Sequence, residues 1–321
     1  MSDSTSLVSV LIPVYNASAY LKQCLDSVVN QTYSHLQIVL IDDGSTDKSW
    51  VIMQDYALKD NRIEIYHQEN AGVAITRNHL LEKIKGEYFL FIDSDDWVEL
   101  EMVDFLLQRL LLNKSDIAVC SVVKDDDITN LTFSEGLWYQ EKVVEEFLKH
   151  ISFNGSLCNK LIKTSLLNEN RFDSRIMYGE DALFCWKIIQ KLSCAIITNK
   201  QLYHYRRNLQ SISRQKWTPE KKGSGHLVWQ EIVKDVSITW PQYLDVATAR
   251  FAIEDFWGIY FAALSNYPYD EHIKLRQSSI SDNFLTTVNS RLLTFDKLIV
   301  AFILSKWYKF GKILELYKGT F

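Results

Sequence analysis

Between Val8 and about Val123, short β-branched runs alternate with longer stretches of helical periodicity. That alternation predicts βα units built on a mainly parallel sheet. Strands are expected over Val8–Val14, Leu36–Ile41, Arg62–Tyr66, Tyr88–Ile92 and Asp116–Val122, and helices at about Ala19–Gln31, Lys48–Lys59, Val73–Lys85 and Glu99–Asn113. In an open sheet of this kind, ligands bind outside the carboxyl ends of the strands, where neighbouring connections diverge. Each polar motif falls there. Pro13-Val-Tyr-Asn16 follows the first strand, Asp42-Asp-Gly-Ser-Thr-Asp47 the second, Gln68-Glu-Asn-Ala-Gly72 the third and Asp93-Ser-Asp-Asp96 the fourth. Helical patterns recur at Tyr139–His150 and Ala182–Leu192 within a mixed stretch reaching about Ile212, and from Thr218 onward helical periodicity is unbroken by strand alternation. The expectation is an α/β, Rossmann-like domain over residues 1–213, with halves meeting near residue 123, and a C-terminal helical appendage over residues 214–321.

The run Phe89-Leu-Phe-Ile-Asp-Ser-Asp-Asp96 ends an apolar strand in three carboxylates. Carboxylates so close repel one another unless a cation or hydrogen-bond donors offset the repulsion. Capping of the next helix is the plainer explanation. The Asp93-Ser94-Asp95 spacing puts two carboxylates on one side of an extended strand end. One could hold a divalent cation while the other meets a ribose hydroxyl or a metal-bound water. Mg²⁺ and Mn²⁺ take oxygen ligands, commonly one or two carboxylates plus substrate phosphates, so the pairing implies a diphosphate substrate.

Asp42 and Asp43, with Gly44 to turn the chain, form an acceptor-rich loop able to bind N–H groups of a base and ribose hydroxyls, while Ser45 or Asp47 caps the helix that follows. Arg77 lies about one and a half turns into a helix opened by Gly72, placed either to pair with a phosphate or to brace the carboxylates. Far downstream, Glu180 and Asp181 open a helix. A carboxylate there caps the helix, and it also stays ionised and fixed, as a general base must. His204 and Arg206 sit in an aromatic and basic loop, where a lone histidine is more often structural than a ligand.

The remaining composition narrows the function by exclusion. A formal net charge of −5 on 321 residues gives no basic field for nucleic acid. Five scattered cysteines with no Cys-x-x-Cys pair suggest neither a disulfide framework nor a zinc site, and fit a reducing cytoplasm. The N-terminus lacks the basic residues of a signal peptide, and no stretch reaches the roughly 18 apolar residues of a membrane span. Neither a dinucleotide glycine fingerprint nor a Walker phosphate loop is present. The acidic run Asp125–Asp127 reads as a solvated hairpin tip.

Taken in order, Val10-Leu-Ile-Pro-Val-Tyr-Asn16, Ser27-Val-Val-Asn-Gln-Thr32, Asp42-Asp-Gly-Ser-Thr-Asp47, Asn70-Ala-Gly-Val-Ala-Ile-Thr-Arg-Asn78, Phe91-Ile-Asp-Ser-Asp-Asp96, Asn159-Lys160-Leu, Gly179-Glu-Asp181 and Tyr203-His-Tyr-Arg206 resemble the family 2 glycosyltransferases, inverting enzymes of the GT-A fold that use nucleotide-diphospho-sugars. The resemblance covers about residues 8 to 213. It implies a nucleotide-sugar half over about 1–123 and an acceptor half over about 124–213. Pro13, Tyr15, Asn16 and the Asp42/Asp43 pair would cradle the base, with uracil favoured. Arg77 would lie near the diphosphate, Asp93 with Ser94 at the ribose, and Lys160 and Arg206 among the donor-binding residues. Asp95, with His204, would bind Mn²⁺ or Mg²⁺, and Asp96 would cap the next helix. Asp181, beside Glu180, would be the base that activates an acceptor hydroxyl for direct displacement. The usual setting for such proteins is bacterial surface polysaccharide assembly.

At the end of the chain, Lys306, Lys309 and Lys312 interleave with Trp307, Tyr308 and Phe310 after an apolar run. This pattern suits an interfacial helix on the inner face of an anionic membrane, near a saccharide or lipid-linked saccharide acceptor. It equally suits a helix packed on the catalytic domain or on a second copy of the chain. A different class of function is a nucleotide-sugar-binding subunit without turnover, which partners another transferase. The full set of acids weighs against it.

Overall fold

In the computed structural model, which describes residues 6–124, 134–149, 153–208, 218, 223–306 and 308, the chain opens with β1 (Val8–Val14), α1 (Leu21–Val29), β2 (Leu36–Asp43), α2 (Ser49–Ala57), β3 (Ile63–Gln68), α3 (Val73–Glu82) and β4 (Tyr88–Phe91). Strand β1 pairs in parallel with β2 and β4, and β2 with β3. Every residue of β2 is buried, as a strand covered on both faces requires. Next come β5 (Trp97–Val98), α4 (Met102–Asn113), β6 (Ile117–Lys124), β7 (Gly136–Tyr139), α5 (Gln140–Lys149), β8 (Lys160–Lys163), α6 (Glu180–Ile189) and β9 (Cys194–Tyr205). The described strands join one sheet ordered β3-β2-β1-β4-β8-β6-β9-β5, with β7 also paired to β9. Pairing is parallel between β6 and β9; β8 runs antiparallel to β4 and β6, and β5 and β7 antiparallel to β9.

The expected strands are present, and β2 and β3 run two residues further than predicted, through Asp43 and Gln68. The stretch after His150 supplies β8 and β9, and β7 forms just ahead of the helical pattern expected from Tyr139. The helix expected from Glu99 starts instead at Met102, because the Glu99 amide donates to the Leu202 carbonyl (2.9 Å) and keeps the chain extended beside β9. The acidic run Asp125–Asp127 lies outside the described residues.

The chain divides into two compact units. Residues 1–144, 155–174 and 184–208 form the first, which contains the sheet. Residues 145–154, 175–183 and 209–321 form the second. Its helices are α7 (Gly225–Thr239), α8 (Leu244–Leu264), α9 (Glu271–Asp282), α10 (Phe284–Ser290) and α11 (Phe295–Lys306). Phe256, Ile259, Ile273, Ile280 and Leu304 are buried in a core of its own. Asp270 caps α9 by accepting from the Ile273 amide (3.1 Å). On α11, Val300, Ala301 and Leu304 are buried while Ile299 and Phe302 are exposed. Tyr308 donates its hydroxyl to the Tyr267 carbonyl (2.7 Å), while Trp307, Lys309 and the rest of the basic tail lie outside the described residues. Among the described residues no helix is long and apolar enough to cross a membrane. All five cysteines are buried thiols.

Candidate active site

The loops after β1 and β2 are laced together. Asn16, at φ 49°, donates its amide to Ser45 Oγ (2.9 Å) and accepts from the Thr46 amide through Oδ1 (2.8 Å). The Ala17 and Ser18 amides donate to Ser49 Oγ and Asp47 Oδ2, each at 2.9 Å. Asp47 also accepts from the Ser49 amide (2.9 Å) at the start of α2. Ser45 is thus engaged by the β1 loop, and neither it nor Asp47 stands at the N-cap of α2, which is Lys48; Asp47 accepts from the first helical amide from one position before the cap. Gly44 sits at φ 72°, and a Cβ there would lie 2.7 Å from the Asn70 nitrogen. Only glycine lets the β2 and β3 loops approach this closely.

Asp42 and Asp43 are adjacent in sequence and opposite in role. Asp43 accepts from Gln68 Nε2 (2.7 Å) and the Ala71 amide (2.8 Å) through Oδ1 and from the Gly72 amide (2.9 Å) through Oδ2, which ties β2 to the N-terminus of α3. Asp42 Oδ2 accepts from the Ser45 amide (3.2 Å) and meets His67 Nδ1 (2.8 Å). Its Oδ1 is buried with no hydrogen-bond partner among the described residues. Pro13 is the one residue of β1 that is not buried, and Tyr15 beyond it is 53% exposed.

The acidic cluster occupies the turn from β4 to β5. Asp96, expected as a helix cap, does not cap α4; Glu101 stands at that position. Because β5 intervenes and pairs with β9, the buried Asp96 carboxylate faces that strand. It accepts from Tyr203 Oη through Oδ2 (2.6 Å) and from the Arg206 amide through Oδ1 (2.7 Å). The same Tyr203 oxygen accepts from the Asp93 amide (3.2 Å). Asp93 Oδ1 pairs with Arg77 Nη2 (3.1 Å), and the guanidinium lies over Phe91 and Phe172. Arg77 therefore braces a carboxylate, one of the two roles open to it. Asp95 Oδ2 accepts from Asn208 Nδ2 (3.0 Å), and its carbonyl accepts from Arg206 Nε (2.8 Å). Ser94, between the two acids, is half-buried.

Burial and the neighbouring Asp93 carboxylate push Asp95 above the usual carboxylate range. The same two causes push Asp96 up to about 8, against the opposing pull of its bonds to Tyr203 and Arg206. Three carboxylates held this close are short of positive charge.

His204 pairs across strands with Trp97 and stacks on its ring (centroids 4.9 Å, 4°), with Nε2 against Glu99 Oε1 (2.7 Å). The Arg206 guanidinium lies over Trp97 at 4.6 Å and Tyr20 at 5.1 Å. Lys160 is almost wholly buried and donates to the Ser156 carbonyl (2.5 Å) and Asn159 Oδ1 (3.0 Å). Among the described residues no group of three or more His, Cys, Asp or Glu side chains is arranged to hold a metal ion.

Glu180 and Asp181 belong to the second unit. Gly179, at φ 86°, turns the chain into α6. Asp181 Oδ1 accepts from the Ala182 amide (2.8 Å), and Glu180 is buried. Residues that sequence reasoning left without a role include Tyr203, Asn208 and His67. Tyr203 was named only as part of the Tyr203–Arg206 block, and the signal for His67 and Asn208 was position, at the carboxyl end of a strand or just past it.

The family model described as Glycosyl transferase family 2 matches residues 9–170, half of the chain. Glycosyltransferase GlyA of Streptococcus pneumoniae is 34% identical over 231 residues, 65% of this chain and 32% of its own length. Putative glycosyltransferase EpsH of Bacillus subtilis is 33% identical over 217 residues, 65% of this chain and 63% of its own. The chain thus matches about a third of the first relative and under two thirds of the second. The crystal structure of Staphylococcus aureus TarS 1–349 in complex with UDP-GlcNAc superposes with a TM-score of 0.72 at 20% identity, over 98% of this chain and 92% of that one. The shared architecture is the GT-A fold. On the match over residues 9–170, this chain belongs to glycosyl transferase family 2.

Proposed function

We propose that this chain is an inverting glycosyltransferase that moves a sugar from a nucleotide-diphospho-sugar, a UDP-sugar in particular, to an acceptor hydroxyl during bacterial cell-surface polysaccharide or glycan assembly. The observation that carries the reading is the crowding of Asp93, Asp95 and Asp96, where burial and mutual repulsion raise Asp95 and Asp96. An all-oxygen set short of positive charge fits Mn²⁺ or Mg²⁺, which accept one or two carboxylates and complete their shell with substrate phosphates and water. Asp95 would hold the ion; His204 joins only if it releases Glu99. Such an ion, when bound, offsets charge on the departing nucleoside diphosphate.

The chain's own residues supply the rest. Asp42 Oδ1, a buried acceptor with no partner among the described residues, suits the imide N–H of uracil, and Pro13 and Tyr15 flank the base on a loop ordered by Asn16. Asp43 contributes by holding that loop to α3. Asp93 meets the ribose with Ser94 beside it, while Arg77, Arg206 and Lys160 supply positive charge on the donor side. Asp181 takes the proton of the acceptor hydroxyl as its oxygen bonds to the anomeric carbon and the bond to the diphosphate oxygen breaks. Glu180 shares the first turn of α6 with Asp181. One displacement inverts the anomeric centre and needs no protein nucleophile. The UDP-GlcNAc complex of TarS supports a uridine donor.

Peripheral attachment to the inner face of the membrane through the basic C-terminal segment completes the reading, with a saccharide or lipid-linked saccharide as acceptor. Its check is sedimentation with anionic vesicles. Partitioning no better than that of a variant with Lys306, Lys309 and Lys312 changed to Glu would sink it.

The activity test is UDP release from UDP-N-acetylglucosamine with Mn²⁺, with and without saccharide acceptors, in wild type, Asp95→Asn and Asp181→Asn. Both variants should lose turnover by roughly a hundredfold or more, with nucleotide binding kept in Asp181→Asn. Intact turnover in Asp181→Asn overturns the base assignment. A wild type that binds donor and never turns it over favours the binding-subunit reading instead.

A further inference from the structure

The second unit buries a charged network that the proposed chemistry does not use. Asp255, on α8, is fully buried. It accepts from Arg276 Nη1 of α9 (2.8 Å) and meets His226 Nδ1 of α7 through both oxygens (2.8 and 3.0 Å). Arg276 Nη2 also donates to the Gly223 carbonyl. Glu254 and Arg250 of α8 lie 3.7 Å apart beside this network, both partly buried. Taking such charges out of water is costly unless their geometry is held closely, and well-packed apolar residues would bind three helices together at least as firmly. The arrangement therefore asks what the network holds in place.

Its contacts converge on one turn. Arg276 grips residue 223, Asp255 grips residue 226, and the Glu254 carboxylate lies against residue 225, where a Cβ on Gly225 would lie 2.6 Å from Oε1. Ser224, the residue between these anchors, is buried. It accepts from the Tyr178 amide (3.0 Å) and donates to the Tyr178 carbonyl (2.9 Å). One hydroxyl thus closes both backbone groups of Tyr178, two residues before Glu180. Gly179 follows at φ 86°, its α-carbon packed toward Val228 of α7, where a Cβ would lie 3.5 Å from Cγ2.

We propose that Ser224 is a positioning residue for the Glu180–Asp181 segment, and that the Asp255–Arg276–His226 network exists to fix Ser224. The helical unit then has a stated task, which is to hold the start of α6 in a single conformation. This rests on the reading of Asp181 as the base. A carboxylate displaced by as little as about 1 Å can lose roughly a hundredfold in rate, so rigidity at this point acts directly on turnover.

The test is hydrogen exchange on the full chain, read peptide by peptide, in wild type, Ser224→Ala, Ser224→Thr and Arg276→Lys. Ser224→Ala should speed exchange over residues 176–183 by about tenfold or more while α8 and α11 stay at wild-type rates. Arg276→Lys, which cannot reach Asp255 and the Gly223 carbonyl with one fork, should do the same. Ser224→Thr, which keeps the hydroxyl, should restore protection. In UDP release from UDP-N-acetylglucosamine with Mn²⁺, Ser224→Ala should lower kcat by at least about tenfold and leave KM for donor within about twofold. The proposal is overturned if exchange over 176–183 stays within about twofold of wild type in both variants, or if the whole helical unit loosens equally. If Asp181→Asn keeps its turnover, the base assignment falls alone, and the exchange result still decides what Ser224 does.

Discussion

Tyr203→Phe removes one oxygen and leaves a fully buried ring in place, so its effect isolates what that oxygen does for the acidic cluster. The hydroxyl donates to Asp96 Oδ2 at 2.6 Å and accepts from the Asp93 amide at 3.2 Å. A hydrogen bond contributes about 1 kcal/mol, or about 1.5–3 kcal/mol when its partner is charged, and a buried amide left unpaired adds about 1 kcal/mol. The loss should therefore be about 2 kcal/mol where Asp96 is protonated, below about pH 8, and about 3 kcal/mol once it ionises. For a unit of this size the larger loss corresponds to a fall in Tm of roughly 6–12 °C. The loss also has a pH signature. Asp96 is already raised by burial and by Asp93, and Tyr203 is one of the two groups that pull it back. A folded-state pKa above the unfolded one means stability that is present below the unfolded value and lost as pH rises through the folded value. Without the hydroxyl the folded value rises further, so the gap between wild type and Tyr203→Phe should widen as pH climbs toward and past about 8. Differential scanning fluorimetry from about pH 6 to pH 9, with Asp96→Asn and the double variant, gives the coupling energy, expected above about 1 kcal/mol. A Tm within about 2 °C of wild type across that range, or additive single variants, would refute the account.

Three further outcomes follow from the same geometry. Asp42→Asn places an amide donor opposite the imide N–H of uracil, so UDP affinity measured by calorimetry with Mn²⁺ should fall about tenfold or more while the unliganded Tm moves little; unchanged affinity would remove Asp42 from the base site. Gly44→Ala forces a left-handed backbone that costs an L-residue about 1–2 kcal/mol, and it sets a methyl group 2.7 Å from the Asn70 nitrogen. Both Tm and UDP binding should drop together, and a variant melting with wild type would show that these loops are looser than described. Asp60 is held below the usual carboxylate range chiefly by its hydrogen bonds from Arg62, whose Nη2 also reaches the Val29 carbonyl (2.7 Å). Its stabilisation is present above about pH 3.8 and is lost as pH falls through the lower folded value. The urea midpoints of wild type and Asp60→Asn should therefore differ near neutral pH and converge in acid, and a gap independent of pH would contradict the ion pair.

The sheet and the loops at its carboxyl end were legible because they follow from local pattern: β-branched runs, helical periodicity between them, and polar residues where the strands stop. What those polar residues do was legible only in part. Asp42 and Asp43 look equivalent on paper, yet neighbouring residues of a strand face opposite sides. Only the path of the β3 to α3 loop decides that Asp43 meets the Ala71 and Gly72 amides, while Asp42 keeps an acceptor without a partner among the described residues. Asp96 reads as a helix cap until a two-residue strand pairs with β9 and turns it toward Tyr203, a partner 107 residues away. Asp255 and Arg276 belong to no motif of the sequence, and their pairing appears only when three helices are packed. The acids themselves are placed by short-range pattern, while the donors that set their charge state arrive from distant parts of the chain. That difference makes Tyr203→Phe the sharper probe of the cluster than any change to the acids, since it alters their electrostatics and leaves every carboxylate where the strands put it.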